Sequence, residues 1–351
     1  MSGAPSLLRG VVLLLAGLAS SGCTSVFYVV QAAQGQVELG YLARPIDEVV
    51  TDKAVPERTR SLLSRVASMK RFGEKHGLTP TSNYSEYVQL DRPAVVWVVS
   101  ACEPLRFQSK VWSFPIAGQV PYLGWFDWWD ADSFAADLRE DGWDVHLRPA
   151  GAYSTLGWFE DPVLSSMIDE GEGTLGDLTN VVLHESVHAT LYLPGQSLLN
   201  ESLADFVADR LTPRYLDAEL GAQSPERLAW EADQKNSARR RELMQRAYSR
   251  LERLYASAAP DAAKLAEKAR VLVELRREMG VSREINNATL AQFKTYSSGE
   301  AELLALLDAC GGDFPRFFAQ LRGLSADSFT NATPGRVLAE VARLARNGCG
   351  R

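Results

Sequence analysis

Apolar positions along the chain switch between two periods, and the switch divides it into a mixed region and a helical one. After Pro56, the residues Leu62, Leu63, Val66, Met69 and Phe72 recur at helical spacing and stop at Gly73 or Gly77, which predicts an amphipathic helix. The run Ala94-Val95-Val96-Trp97-Val98-Val99 is continuously apolar, as a central strand is. Val111 to Pro115 and Val120 to Phe126 flank Ala117-Gly118 and predict a hairpin whose prolines confine it to a sheet edge. Asp130 to Glu140 reads as a helix capped by Asp130 or Asp132, and Asp144 to Arg148 as a further strand. Ser224 to Arg277 is rich in Ala, Arg, Glu and Leu and breaks at Ala259-Pro260-Asp261, which predicts two long antiparallel helices. Shorter helices follow around Glu300 to Leu307, Phe314 to Leu321 and Pro334 to Arg346. The expected class is α+β, a small sheet followed by a mainly helical C-terminal part.

Between these regions lies the stretch that carries chemistry. Val181 to Thr190 contains His184-Glu185-Ser186-Val187-His188, in a run with no proline and no charge besides Glu185. On a helix, His184 and His188 are four residues apart and project from one face, where both can bind one zinc ion. Glu185 then stands where a carboxylate can take a proton from the attacking water. Pro194-Gly195 is expected to stop this helix, and Asn200-Glu201-Ser202-Leu203-Ala204-Asp205 opens a second. A helical hairpin folds Glu201 back as a third ligand and leaves the fourth position to water, the open geometry of a catalytic site. Asp205, and with it Asn200, is expected to support the ligands from behind, Asp205 by accepting the spare N–H of a histidine. Taken singly these residues are common structural features; their combination points to one Zn²⁺ per chain.

His184-Glu185-x-x-His188 with a downstream Glu201 and Asp205 resembles the gluzincin zinc metallopeptidases, although the gap to the glutamate is shorter than in most of them. More closely, the chain resembles a bacterial family of predicted lipoprotein aminopeptidases. The matching stretches are Arg44 to Val49, Phe114 to Gly118, Ala152 to Phe159, the histidine stretch and Asn286-Asn287-Ala288. The resemblance implies a zincin-like core, a small sheet with the HExxH helix and the glutamate-bearing helix. It also implies a tyrosine hydroxyl that stabilises the oxyanion, with Tyr296 and Tyr153 as the candidates. Relatives carry cysteines where this chain has Ser113 and Gln119, so a hairpin disulfide there is not expected.

Met1 to Gly22 reads as a signal peptide with Arg9 as its positive end and a short apolar run, Gly10 to Leu18. Ala19-Ser20-Ser21-Gly22-Cys23 is similar to a bacterial lipoprotein signal that ends in lipidation of Cys23; ordinary secretory cleavage is the alternative. By the same resemblance, Thr24 in place of an aspartate favours the outer membrane, facing the periplasm. The remaining cysteines, Cys102, Cys310 and Cys349, allow at most one disulfide and one free thiol. Residues 23–52 are expected to be a tether of little periodicity, 53–220 the catalytic region and 221–351 the helical lobe. With 37 basic against 44 acidic residues and a net charge of −7, nothing attracts nucleic acid.

The function these readings imply is zinc-dependent hydrolysis of peptide bonds by an envelope-anchored aminopeptidase, with a peptide or protein as substrate. An envelope endopeptidase, or a non-catalytic lipoprotein that binds a partner through its helical lobe, are the alternatives, and the oligomeric state stays open.

Overall fold

A computed structural model describes residues 23–114, 118–152, 160–193, 196–295, 299–324 and 334–349. Its class is mixed α and β, with helix predominating. In chain order, helix α1 (Cys23–Leu42) leads to strand β1 (Arg44–Pro45) and helices α2 (Ile46–Thr51), α3 (Glu57–Leu63) and α4 (Val66–Lys75). Strands β2 (Glu86–Val88), β3 (Val96–Cys102), β4 (Trp112–Phe114), β5 (Gly118–Val120) and β6 (Leu123–Trp125) follow. Next come α5 (Trp128–Glu140), β7 (Asp144–Ala150) and β8 (Val163–Leu164). The rest is helical: α6 (Thr174–Thr190), α7 (Ser197–Leu220), α8 (Pro225–Ala256), α9 (Asp261–Met279), α10 (Asn287–Thr295), α11 (Glu300–Ala309), α12 (Phe314–Leu321) and α13 (Pro334–Asn347).

Three small sheets form, with strand orders β1-β2-β8, β6-β3-β7 and β4-β5. The apolar run at 94–99 is the central strand expected, and β3 pairs antiparallel with both neighbours. The strand expected over Val120 to Phe126 is instead two. Pro121, with no N–H to give to a ladder, separates β5 from β6, and the two join different sheets. In the β4–β5 ladder Ser113 lies directly opposite Gln119, the cross-strand placement that a cystine at these positions needs. Helix α5 starts earlier than expected because Asp127, not Asp130 or Asp132, caps it by accepting from the N–H groups of Trp129 and Asp130.

The tether expected over 23–52 is largely helix. Its sequence hides this because the inward position is polar and the outward ones are not. Gln31 is buried and presents both halves of its amide to the edge of β6, donating to Gly124 O at 3.2 Å and accepting from Phe126 N at 3.0 Å. The side chain thus stands in for a neighbouring strand. Helices α8 and α9 form the long antiparallel pair expected, opened by the Ser224 cap and Pro225 at the first helical position.

Hydrophobic packing crosses the expected boundary at 220/221. Helix α6 buries Leu175, Leu178 and Val182 among residues of α3, α4, β2 and β8, with Trp230 of α8 completing the cluster. Its other apolar side, Leu183 and Val187, packs with α7 against α11, α12 and α13. At Gly176 an added Cβ would lie 2.8 Å from the Trp230 ring, so α6 and α8 are too close there for any side chain. A disulfide joins Cys310 to Cys349 and Cys102 is a buried free thiol, within the limit that the cysteine count set.

Asn286-Asn287-Ala288 turns out to be a joint between the helical region and the sheet. Asn286 Nδ2 donates to Val145 O at 2.8 Å, and Asn287 Nδ2 donates to Glu103 O at 2.8 Å and Pro104 O at 3.1 Å. The Asn287 N–H donates to Asp144 Oδ2 at 2.8 Å, and the same carboxylate receives Lys268 Nζ from α9 at 2.5 Å. Tyr255 of α8 donates its hydroxyl to Asn287 Oδ1 at 2.8 Å. Lys268 and Asp144 are both largely buried, with side chains 9% and 17% exposed. Lys268→Met therefore leaves Asp144 as an uncompensated charge in a dry joint, and we expect a loss of roughly 3–5 kcal/mol in urea unfolding. A loss below ~1 kcal/mol would mean that the pair is solvated and does not join the two regions.

Candidate metal centre

Helices α6 and α7 are antiparallel and separated only by residues 191–196, so positions on one match positions on the other in a fixed order. Going up α6 by four residues means going down α7 by four. The facing pairs are Asn180 with Asp209, His184 with Asp205 and His188 with Glu201. Asn180 Nδ2 donates to Asp209 Oδ1 at 3.0 Å, and His184 Nδ1 lies 3.0 Å from Asp205 Oδ1. His188 Nε2 lies 3.6 Å from Glu201 Oε1, and His184 Nε2 lies 3.7 Å from Glu201 Oε2. These six side chains are a polar stripe between two helices that also bury many apolar residues, among them Leu183, Val187, Leu203 and Val207.

The hairpin turn is held by Asn200. Its Oδ1 accepts from Leu193 N and its Nδ2 donates to Leu193 O, both at 2.9 Å. Asn200 is buried and braces the loop that returns Glu201; it does not bond a ligand histidine. The expected stop at Pro194-Gly195 lies outside the described residues, and α6 ends at Thr190.

The geometry fits a small tetrahedral cation. His184, His188 and Glu201 bring one ligand atom each into a group within 4.8 Å. The two Nε2 atoms are 3.2 Å apart, beside the 3.6 and 3.7 Å separations to Glu201. Ligands at ~2.0–2.1 Å from a tetrahedral ion are separated by about 3.3–3.4 Å, close to the spacing of the two Nε2 atoms, while Glu201 turns Oε1 toward His188 and Oε2 toward His184. Asp205 is an acceptor, so His184 gives it the Nδ1 proton and keeps the Nε2 lone pair for the ion. His188 is held differently, for its Nδ1 is buried with no hydrogen-bond partner among the described residues.

Without an ion the pair of imidazoles is electrostatically lopsided. Burial works against a charge on His184, but the hydrogen bonds it donates to Asp205 and Glu201 outweigh it and raise its pKa to about 10. Burial, then the charge on His184, pushes His188 down to about 4. Burial raises Asp209 and so does the Asp205 charge, while the Asn180 hydrogen bond opposes them. The pair Asn180 and Asp209 was not anticipated, although the same four-residue spacing, carried one turn further on each helix, points to it.

Glu185 follows His184 on α6 and is half-buried. Tyr153 and Tyr296, expected as oxyanion donors, lie outside the described residues. A different tyrosine comes near instead. Tyr84 is buried in the cluster that contains Leu178 and Val182. Burial first, then the charges of Glu185 and Asp161, push its phenol well above the usual tyrosine value. Its φ of 61° is in the left-handed region, which costs a residue with a Cβ about 1–2 kcal/mol. The Tyr84 N–H donates to Asp161 O at 2.7 Å, and Asp161 N donates to Asn83 Oδ1 at 3.2 Å, which hold the turn in place. No periodicity marks such a residue, because its position comes from a turn. Just past the end of β7, the Gly151 carbonyl accepts from Ser166 Oγ at 2.6 Å.

Residues 27–333 match the model of a protein family described as "Putative aminopeptidase". The chain belongs to this family. No curated protein and no solved structure matches it. The match spans the histidine stretch, Glu201, the Asn286-Asn287 joint and most of the helical region.

Because His184 holds its proton up to about 10, an ion that binds at neutral pH must displace it. We expect zinc titrated into the metal-free protein at pH 7.5 to release one proton, read by calorimetry in buffers of different ionisation enthalpy. Affinity should climb about tenfold per pH unit and level off near the His184 pKa. Asp205→Asn removes the main stabiliser of that proton, so fewer protons should be released and affinity should fall by roughly 10–100-fold. Full proton release in Asp205→Asn would contradict the assignment.

Proposed function

We propose that this protein is a zinc-dependent peptidase, an aminopeptidase held at the bacterial cell envelope by a lipid on Cys23. The observation that carries the catalytic part is the convergence of one donor atom each from His184, His188 and Glu201 within 4.8 Å, with a carboxylate, Glu185, next along the same helix. The family to which the chain belongs supports peptide as the substrate class. The core is then zincin-like, with a glutamate as third ligand as in gluzincins.

His184, His188 and Glu201 would hold the ion, which when bound supplies a Lewis acid to the scissile carbonyl and to water. Asp205 keeps His184 in the tautomer whose Nε2 faces the ion, and Asp209 with Asn180 extends that support by one turn. Glu185 takes the proton of the attacking water and passes it to the departing amine. Tyr84 stands behind Glu185 as a buried phenol; Tyr153 and Tyr296 are the candidates for the donor to the oxyanion. Asp161, buried beside Tyr84, and the exposed Glu160 are carboxylates suited to a substrate's free amine, the group that separates exo- from endopeptidases.

The test is Glu185→Gln. It keeps shape and a hydrogen-bonding oxygen but cannot accept a proton at neutral pH. Stoichiometric zinc should remain while hydrolysis of free-amine peptides falls by about 10²–10⁴-fold. Zinc should be lost in His184→Ala and Glu201→Ala. Unchanged hydrolysis in Glu185→Gln with zinc bound would remove the base from the mechanism and favour a partner-binding lipoprotein. Equal cleavage of free-amine and N-blocked peptides would favour the endopeptidase.

No helix among the described residues is long and apolar enough to cross a membrane, and the attachment proposed is the lipid on Cys23. Cys23→Ser should move the protein from the membrane pellet to the soluble fraction. Retention after a high-salt wash would point to another anchor.

A further inference from the structure

Helix α1 is amphipathic in reverse, and its outward face is what the reading so far leaves unused. Inward, Gln31, Gly35 and Leu39 recur at four-residue spacing and pack on the sheet; a Cβ at Gly35 would lie 2.2 Å from the Phe126 ring. Outward, Phe27 is 51% exposed, Val30 45%, Val37 72% and Tyr41 89%. At 100° per residue these four positions and Gln34 share an arc of roughly 80°. Position 23, one turn before Phe27, falls on the same arc. The stripe runs about 21 Å along the helix. It carries no charge; the only ionisable side chain between Val30 and Leu42 other than Tyr41 is Glu38, which lies off the arc and pairs with Arg92 at 2.8 Å.

We propose that the outward stripe of α1, Phe27, Val30, Val37 and Tyr41, lies in the interface of the lipid bilayer and sets the orientation of the catalytic body on the membrane. This rests on the reading that Cys23 is lipidated. An acyl chain emerging from the first turn of α1 brings that turn to the bilayer, and the nearest surface on the same arc is apolar. The helix cannot enter as a span, because Gln31 and Leu39 bind it to the sheet along its length. It can lie flat, with aromatic and β-branched side chains at headgroup depth and the packed face turned to the protein. Lacking positive charge, the stripe suits zwitterionic headgroups and gains nothing from anionic ones.

Acylated full-length protein on phosphatidylethanolamine–phosphatidylcholine vesicles tests this directly. An environment-sensitive thiol label is placed in Val37→Cys, in Tyr41→Cys or, as the control, in Val273→Cys, whose residue is 64% exposed on α9. Cys102 is buried and Cys310 and Cys349 are bridged, so the label goes to the introduced thiol. We expect labels at 37 and 41 to shift to the blue and to be quenched several-fold more than the control by lipids with a quencher near the headgroup. Adding Val30→Glu should return the label at 37 to the control level while the acyl chain keeps the protein in the pellet. Labels at 37 and 41 that behave like the control, on protein that stays bound, overturn the stripe's role and leave the lipid anchor standing. Labels already shielded without vesicles, on protein that sediments as a dimer, overturn it in favour of a second copy. Cys23→Ser protein that still binds vesicles with quenched labels upholds the stripe and overturns the lipid anchor.

Discussion

One constraint shapes the molecule: a polar stripe must sit between two helices that are otherwise surrounded by apolar packing. Asn180, His184 and His188 on α6 and Glu201, Asp205 and Asp209 on α7 form pairs that a short antiparallel connection fixes in register. Burying such groups is tolerable only when each finds a partner, since an orphaned charge in this setting costs several kcal/mol. The ladder meets that condition at Asn180–Asp209 and His184–Asp205 with 3.0 Å contacts, and leaves three donors converging at the third rung. There pairing alone leaves two imidazole nitrogens 3.2 Å apart, an arrangement that could hold a metal ion.

The rest of the fold keeps that stripe in place. Leu183 and Val187 need a wall on one side, supplied by α11 to α13 with the Cys310–Cys349 bridge tying the last helix back. Leu175, Leu178 and Val182 need one on the other, supplied by α3, α4 and Trp230. The long helices α8 and α9 meet the body through Trp230 and Phe107, and their relation to the sheet is fixed further along. Lys268, Asp144, Asn287 and Tyr255 fasten them to the sheet through directional bonds, which fix one geometry where apolar contact would accept several.

Much of this was legible in the sequence because it depends on period and local chemistry. The histidine pair, Glu201 and Asp205 follow from four-residue spacing on two helices, and the helices over 225–279 and 300–347 follow from composition, caps and prolines. Three features were not legible. Asp127 capped α5 in place of nearby aspartates, a choice among similar residues that tertiary packing makes. Helix α1 escaped notice because Gln31 does the inward work and apolar residues face out, which inverts the pattern that periodicity detects. Tyr84 reaches the neighbourhood of Glu185 through a left-handed turn pinned to Asp161, a long-range contact with no local signature.

The two histidines of the centre differ in a way that bears on how the site works. His184 is oriented by a carboxylate on its outer nitrogen, whereas the outer nitrogen of His188 has no partner among the described residues and the ring is placed by packing. A carboxylate behind a ligand raises the ligand's basicity and fixes its tautomer; an unpartnered ring remains the poorer donor. Glu201 faces both Nε2 atoms, one oxygen toward each, and so can compensate for the weaker side. His188 stands next to the loop that Asn200 braces, so the set of the third rung depends on that loop where the second rung depends on a carboxylate.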